Sequence, residues 1–266
     1  MWFHPFTNIS SLSIMRTLVM GDIHGAHKAL LQCLERSNFN HMRDSLIQLG
    51  DVTDRWPEVY EVIETLLKID NEGKLIALKG NHDDWLLNFI DTGKHPKKWA
   101  HGGKDTISSY GNRIAQSVKN VSQGDGYKTS FSVNDIPYNH QEFFRKQLTH
   151  YIDSENNCFV HGGFNAHLSF ANQDKNHFYW DRELWAQAMS LEVFHENPSE
   201  ALFLQTTFRE IFIGHTPTTQ WGTDQPMHAA NIWNLDTGAG CNGRLTIMDV
   251  STKQFWQSDL VSVLYV

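Results

Sequence analysis

TLVMGDIHGAHKALLQCLER (residues 17–36) carries the pattern that decides the fold. An apolar run the length of a buried strand stops at Gly21, an aspartate and a histidine follow at 22 and 24, and a helical face then opens from Leu30, Leu31 and Leu34 beside Ala29 and Cys33. The pattern returns twice. SLIQLGDVTDR (45–55) and KLIALKGNHDD (74–84) each run from apolar residues through a glycine into acids, amides or histidines. Between them Val59, Val62, Ile63, Leu66 and Leu67 recur at helical spacing, Pro57 suits a first turn and Gly73 the turn that follows, which predicts a helix over 57–69. The order is βαβαβα. Such a unit builds a parallel sheet with right-handed crossovers, so the polar loops GDIHG, GDVTDR and GNHDD meet at the carboxyl edge, where open α/β sheets take ligands.

The remaining text is less regular over 91–157, with GKHPKKWAHGGKD, a helical pattern near 104–119, a Gly-rich turn at 124–126 and a second helical pattern from His140 to Tyr151. This stretch reads as an insertion or cap. Apolar runs resume at CFV (158–160), IFI (211–213), IWNL (232–235) and LTIMD (245–249), and the first two lead into HGG (161–163) and GHTP (214–217). A second sheet is expected from them.

Composition limits the alternatives. With 266 residues, 40% of them hydrophobic, the chain can bury one large core, expected over 15–266. A net charge of −8 and a pI near 6.0 argue against an electrostatic grip on nucleic acid or on an anionic membrane. Cys33, Cys158 and Cys241 are odd in number and form no CxxC pair, which favours a reducing compartment and a cytoplasmic location. No apolar stretch is long enough to span a bilayer. Residues 1–14 read as an appended, poorly ordered tail before Met15.

Asp22, His24, Asp51, Asn81, His161 and His215 all follow strand-like runs, and a mixed oxygen and nitrogen donor set suits Mn, Fe or Zn rather than calcium. Two cations fit better than one. A carboxylate such as Asp51 can bridge a pair about 3.5–4 Å apart, an arrangement that clamps both oxygens of a phosphoryl transfer.

In this order GDIHG, GDVTDR, GNHD, HGG and GHTP resemble the calcineurin-like metallophosphoesterases, and within them the phosphoprotein phosphatase group and its bacterial relatives, over Met15 to Asp249. NLDTGAG (234–240) with GRLTIMD resembles the segment after the last histidine in the bacterial members. The resemblance implies an α/β fold, a two-sheet β-sandwich flanked by helices. It also implies that Asp22 and His24 hold one metal, that Asp51 bridges, and that Asn81, His161 and His215 hold the other. His82 then matches the general acid, Asp54 the carboxylate that orients it, and Arg55 and Arg182 the arginines that, with Asn81, hold phosphate oxygens. Pro217 replaces the second histidine of the superfamily's GHxH, as in the phosphoprotein phosphatase branch, and Trp56 stands where a glycine usually follows the aspartate–arginine pair.

Each motif has a plainer reading. GDxHG alone is a strand-to-helix turn, and HGG at 101–103 is a decoy that follows a polar stretch. Arg182 can pair with Asp181 or Glu183, GAGCNG (238–243) reads as a hairpin turn, and Trp85 and Trp99 read as packing. The ordered set favours a dinuclear phosphomonoesterase of the serine/threonine phosphatase type, acting on a phosphorylated protein or a small phosphoester. A nucleotide hydrolase resembling the symmetrical diadenosine tetraphosphatases is the second expectation, and a catalytically silent metal-binding scaffold the third.

Overall fold

A computed structural model describes residues 15–100, 102–113, 118, 120–123, 126–194 and 203–266. In chain order its strands are Thr17–Met20 (β1), Ser45–Gln48 (β2), Leu75–Ala77 (β3), Asn120–Gln123 (β4), Gly126–Thr129 (β5) and His150–Ile152 (β6). Cys158–Val160 (β7), Ile211–Ile213 (β8), Met227–Ala229 (β9), Ile232–Asn234 (β10), Thr246–Asp249 (β11) and Phe255–Gln257 (β12) complete the set. The expected tail, residues 1–14, lies outside the described residues.

The three apolar runs of the opening motif pair in parallel, with Val19 level with Ile47 and Ile47 with Ile76. Helices His27–Arg36 (α1) and Val59–Asp70 (α2) make the crossovers. Pro57 falls just before α2, and Gly73, at φ +66°, turns the chain back toward β3. The first sheet has the order β12-β11-β1-β2-β3 and the second β6-β7-β8-β10-β9. LTIMD, grouped in the sequence with the runs of the second sheet, instead lies antiparallel beside β1 in the first, with Leu18 opposite Asp249. It covers the strand edge that β1 would otherwise expose.

Strands β7, β8 and β11, and all but the first residue of β1 and β2, are buried, and the period of two sorts their side chains into layers. Leu18 and Met20 face α1, α2 and the helix Asn81–Thr92 (α3), while Val19, Ile47 and Leu78 face the second sheet. There they meet Phe159 of β7 and Phe212 of β8, whose rings stack 4.9 Å apart at 11°. Cys158, Val160, Ile211 and Ile213 point the other way, onto Lys175–Trp180 (numbered α6) and Glu183–Phe194 (α7). The result is two five-stranded sheets face to face with helices outside, the α/β sandwich that the motifs imply.

Within 91–157 two expectations change. The helix near 104–119 is Gly103–Gly111 (α4); residues 114–117 and 119 lie outside the described set, as do 124–125 of the Gly-rich turn. The helix expected over 140–151 is Tyr138–Lys146 (α5), and the chain then becomes β6. Gln147 leaves helical geometry because the next residue is recruited by the first sheet: Leu148 donates its N–H to Ala77 and accepts from Lys79. Tertiary pairing overrides the local helical pattern. Buried His140 ties α5 to its neighbours through hydrogen bonds with Tyr110 (2.9 Å) and Glu64 (2.8 Å).

Candidate active site

Because β1, β2 and β3 run one way and β7, β8 and β10 share a direction, their carboxyl ends deliver six loops to one cleft of about 180 Å³. Its walls include Asp22, His24, Asp51, Asn81, His82 and His215, with Arg55 and Arg182 at the same opening. His161 and Asp54, fully buried, stand behind it.

Hydrogen bonds to the backbone set which nitrogen of each histidine faces inward. His24 Nδ1 lies 2.9 Å from the Thr53 carbonyl and His161 Nδ1 2.9 Å from that of Leu49. A carbonyl only accepts, so both Nδ1 atoms carry a proton, and Nε2 is the nitrogen that each ring turns toward the carboxylates. His24 Nε2 lies 3.6 Å from Asp51 Oδ2 and 3.9 Å from Asp22 Oδ2. On the other side His161 Nε2 is 3.5 Å from Asp51 Oδ1 and 3.2 Å from Asn81 Oδ1. His215 Nε2 is buried with no hydrogen-bond partner among the described residues.

Two donor groups that can hold a metal share Asp51: it converges with His24 and His82 on one side and with His161 and His215 on the other. The surroundings fit cations. Burial, followed by the charges of Asp236 and Asp51, raises the Asp22 carboxyl well above the ordinary range. Burial also raises Asp83 and Asp236 to about 6. For Asp51 burial acts upward too, but His161, His82 and His24 outweigh it and hold the group well below the usual range. His24 is pushed down to about 3 and His215 well below its ordinary value, both first by burial, so both are neutral and free to ligate. The loops leave room for little else: a Cβ on Gly80 would come within 2.0 Å of Asp51 Oδ1, and one on Gly214 within 2.2 Å of Asp22 Oδ1.

The backbone is bent to reach this geometry. His24, Asp51, Asp54, Arg55 and His215 all sit at positive φ, between 51° and 72°, where side chains other than glycine are disfavoured.

His82 opens α3 and donates from Nδ1 to Asp54 Oδ2 at 2.7 Å. Asp54 is held in turn by Trp99 Nε1 (3.0 Å) and Thr106 Oγ1 (2.5 Å), both donating to Oδ1. Burial lowers the affinity of His82 for its proton, but Asp51 and Asp54 outweigh it and the pKa is raised. Arg55 is exposed and has no hydrogen-bond or ion-pair partner among the described residues. Arg182 does not pair with Asp181 or Glu183. Its Nη1 donates to the His215 carbonyl and to Thr216 Oγ1, both at 2.9 Å, which fixes the guanidinium at the cleft. Trp56 packs instead of lining the cleft: Nε1 donates to the Ala239 carbonyl at 2.7 Å and the ring stacks on Tyr265. His101 of the decoy HGG lies outside the described residues.

Sequence reasoning passed over Asp83 and Asp236. Asp83 accepts from Val52, Thr53, Gly80 and Gln147 and so joins the loops after β2 and β3. Its signal was its place three residues after Gly80, where an acid caps a helix. Asp236 lines the cleft from the end of β10 and accepts from Gly238 N–H; it follows an apolar run just as Asp22 does.

Curated relatives match in part. Serine/threonine-protein phosphatase 2 of Escherichia coli K12 is 36% identical over 85 residues, 32% of this chain and 37% of its own length. The symmetrical bis(5'-nucleosyl)-tetraphosphatase of Nitrosomonas europaea is 34% identical over 73 residues, 27% of this chain and 26% of its own length. The chain thus spans about a quarter to two fifths of these relatives. A crystal structure of a candidate diadenosine tetraphosphatase superposes with a TM-score of 0.60 at 16% identity, covering 92% of this chain and 94% of its own, a likeness of fold. The profile of the calcineurin-like phosphoesterases matches residues 15–236, most of the chain, and the chain belongs to that family.

Proposed function

We propose that the chain is a dinuclear metal-dependent phosphomonoesterase, related in mechanism to the serine/threonine protein phosphatases, acting on a phosphorylated protein or a small phosphate ester. One observation carries the reading: two donor groups sharing Asp51 and two arginines open onto a single cleft. Asp22 and His24 would hold one cation and Asn81, His161 and His215 the other, with Asp51 shared between them. Manganese is the first choice for both, with iron or zinc as alternatives. When bound, such a pair supplies Lewis acidity and an activated water for in-line attack on phosphorus.

The chain's own residues do the rest. Arg55, unpaired and exposed, and Arg182, pinned by His215 and Thr216, take the phosphoryl oxygens in planar forks, and Asn81 adds its amide. His82 could instead ligate, since its donor lies with those of His24 and Asp51. The buried Asp54 carboxylate, 2.7 Å from Nδ1, favours the charged ring, and that contact supports an acid over a ligand. His82 is the proton donor to the departing alkoxide, and Asp54 fixes its ring. Three unpaired cysteines, two of them buried, support a cytoplasmic setting; no helix among the described residues is long and apolar enough to cross a membrane.

The test is a substrate panel on the manganese-loaded protein: a phosphopeptide, a dinucleoside tetraphosphate and a bis-aryl phosphodiester. Phosphomonoesters should turn over fastest, because a dianionic monoester offers three terminal oxygens to the arginines and cations where a diester offers two. A second reading, hydrolysis of nucleoside polyphosphates, is favoured by the match to the tetraphosphatases, and preference for the tetraphosphate would establish it. Preference for the diester would overturn the role of the arginine pair. Two bound metals with no turnover on any ester would leave a silent scaffold.

A further inference from the structure

A second and larger cavity, of about 750 Å³, opens at the end of the sandwich away from the cleft. Thr17 and Ser45, the first residues of β1 and β2, lie on its wall, whereas Asp22 and Asp51 follow the other ends of the same strands. At about 3.3 Å per residue, Thr17 stands roughly 16 Å from Asp22 along the chain. The two spaces share no lining residue. The cavity continues the apolar layer between the sheets: Ile47, Ile76 and Tyr151 belong to that layer, and Ile76 and Tyr151 are only half-buried where it opens. Tyr151 presents an aromatic ring whose hydroxyl has no hydrogen-bond partner among the described residues.

Charge selects what such a space can take. Three cations line it and each is already engaged, Arg16 by Asp44 at 2.5 Å, Lys253 by Glu210 at 2.6 Å, and Arg209 by Glu155. Against them stand the carboxylates of Asp153, Glu155, Glu210 and Asp249. Asp249 differs from the rest. It is 5% exposed, and its Oδ1 accepts from the N–H groups of Ser251 and Thr252, both at 2.9 Å. Its Oδ2 has no hydrogen-bond or ion-pair partner among the described residues. A carboxylate oxygen so far out of water and without a donor costs free energy, which a ligand bringing an ammonium group would recover. We infer that this cavity is a binding site for a small aromatic amine, with the ammonium on Asp249 Oδ2 and the ring on Ile76 and Tyr151. Its volume falls within the range of about 300–1,000 Å³ of small-molecule sites, and its lining has their character, an apolar floor with few polar groups left free. An anionic ligand would find the cations taken and a carboxylate facing it.

The test is isothermal titration calorimetry on the manganese-loaded full chain with three probes that share one ring: tryptamine, a cation; tryptophol, which is neutral; and indole-3-acetate, an anion. Tryptamine should bind at one site per chain, about 10-fold or more tighter than either of the others. Asp249→Asn keeps Oδ1 for the turn and exchanges only the free oxygen for an NH2 group. It should weaken tryptamine about 10-fold and leave tryptophol as it was. Pentylamine, which lacks the ring, should bind more weakly than tryptamine, and Tyr151→Leu should narrow that gap about 2- to 12-fold. Asp51→Asn, which alters the cleft alone, should bind tryptamine as the wild type does. No binding, equal affinity for the three indoles, or an unchanged tryptamine affinity in Asp249→Asn would overturn the inference. Loss of tryptamine binding in Asp51→Asn would place the amine in the cleft and overturn it as well.

Discussion

Replacing Asp54 with asparagine changes one atom in the acid relay and tests its whole logic. Asp54 has no exposed surface, and its two oxygens are divided between His82 on Oδ2 and the donors Trp99 and Thr106 on Oδ1. An asparagine that keeps its oxygen toward Trp99 and Thr106 must aim its NH2 at His82 Nδ1. That nitrogen must then accept, and the ring loses the carboxylate that favours its charged form. A hydrogen bond to a charged group is worth about 1.5–3 kcal/mol, which is roughly 10- to 150-fold in rate and about one to two units in the His82 pKa. With His82 as the proposed acid, the alkaline limb of the kcat profile reports its deprotonation, and the Asp54 carboxylate 2.7 Å from Nδ1 holds that limb at higher pH. In Asp54→Asn that limb should move to lower pH by about that amount. At neutral pH, kcat on alkyl phosphates should fall by about 10- to 150-fold, and less on aryl phosphates, whose leaving groups need less protonation. Metal content should be unchanged, since no proposed ligand is altered. An unmoved alkaline limb with equal losses for all leaving groups would refute the relay; near-ultraviolet circular dichroism checks that Trp99 stays packed.

Asp51→Asn should abolish turnover and loosen both cations, because one carboxylate is proposed to serve two; metal analysis finding two ions per chain and near wild-type turnover would remove it from that role. Burial lowers the pKa of His140, with Glu64 acting against it, so the native state binds fewer protons there than the unfolded chain. The stability this residue contributes is therefore present above its unfolded pKa of about 6.5 and lost as pH falls. Urea unfolding of His140→Gln should show a weaker loss between pH 7.5 and 5 than wild type, and an equal or steeper loss would contradict the assignment. Cys241 is exposed at the cleft, whereas Cys33 and Cys158 are buried with thiols pushed up by that burial, to about 12 for Cys33. Iodoacetamide should label Cys241 alone and depress turnover, and Cys241→Ser should resist it.

The sandwich was legible because each strand of the first sheet ends on a glycine or polar break and each crossover helix has a clean apolar face. Periodicity of that kind is local. LTIMD was legible as a strand and not by its sheet, since β1 becomes its neighbour only through a contact more than two hundred residues away in sequence. The helix from His140 was overrun because the force that ends it, the pairing of Leu148 with Leu78, is not local. Asp22, His24, Asp51 and Asn81 stood out by their place after apolar runs. Nothing local links Trp99 or Thr106 to Asp54, 45 and 52 residues away, so the support of the proposed acid relay could be found only in three dimensions.

The left-handed backbone at His24, Asp51, Asp54, Arg55 and His215 sets stability against the roles proposed for the same residues. Arg55 isolates the conflict, being exposed and without a hydrogen-bonded partner among the described residues, at φ 71°. Glycine there would relieve about 1–2 kcal/mol of steric cost against about 0.5–1 kcal/mol of added chain entropy. Arg55→Gly is therefore expected to fold as well as or better than the wild type while gripping phosphate less well. Selection for thermostability alone is expected to drift toward glycine at this position, at the expense of the proposed hold on phosphate.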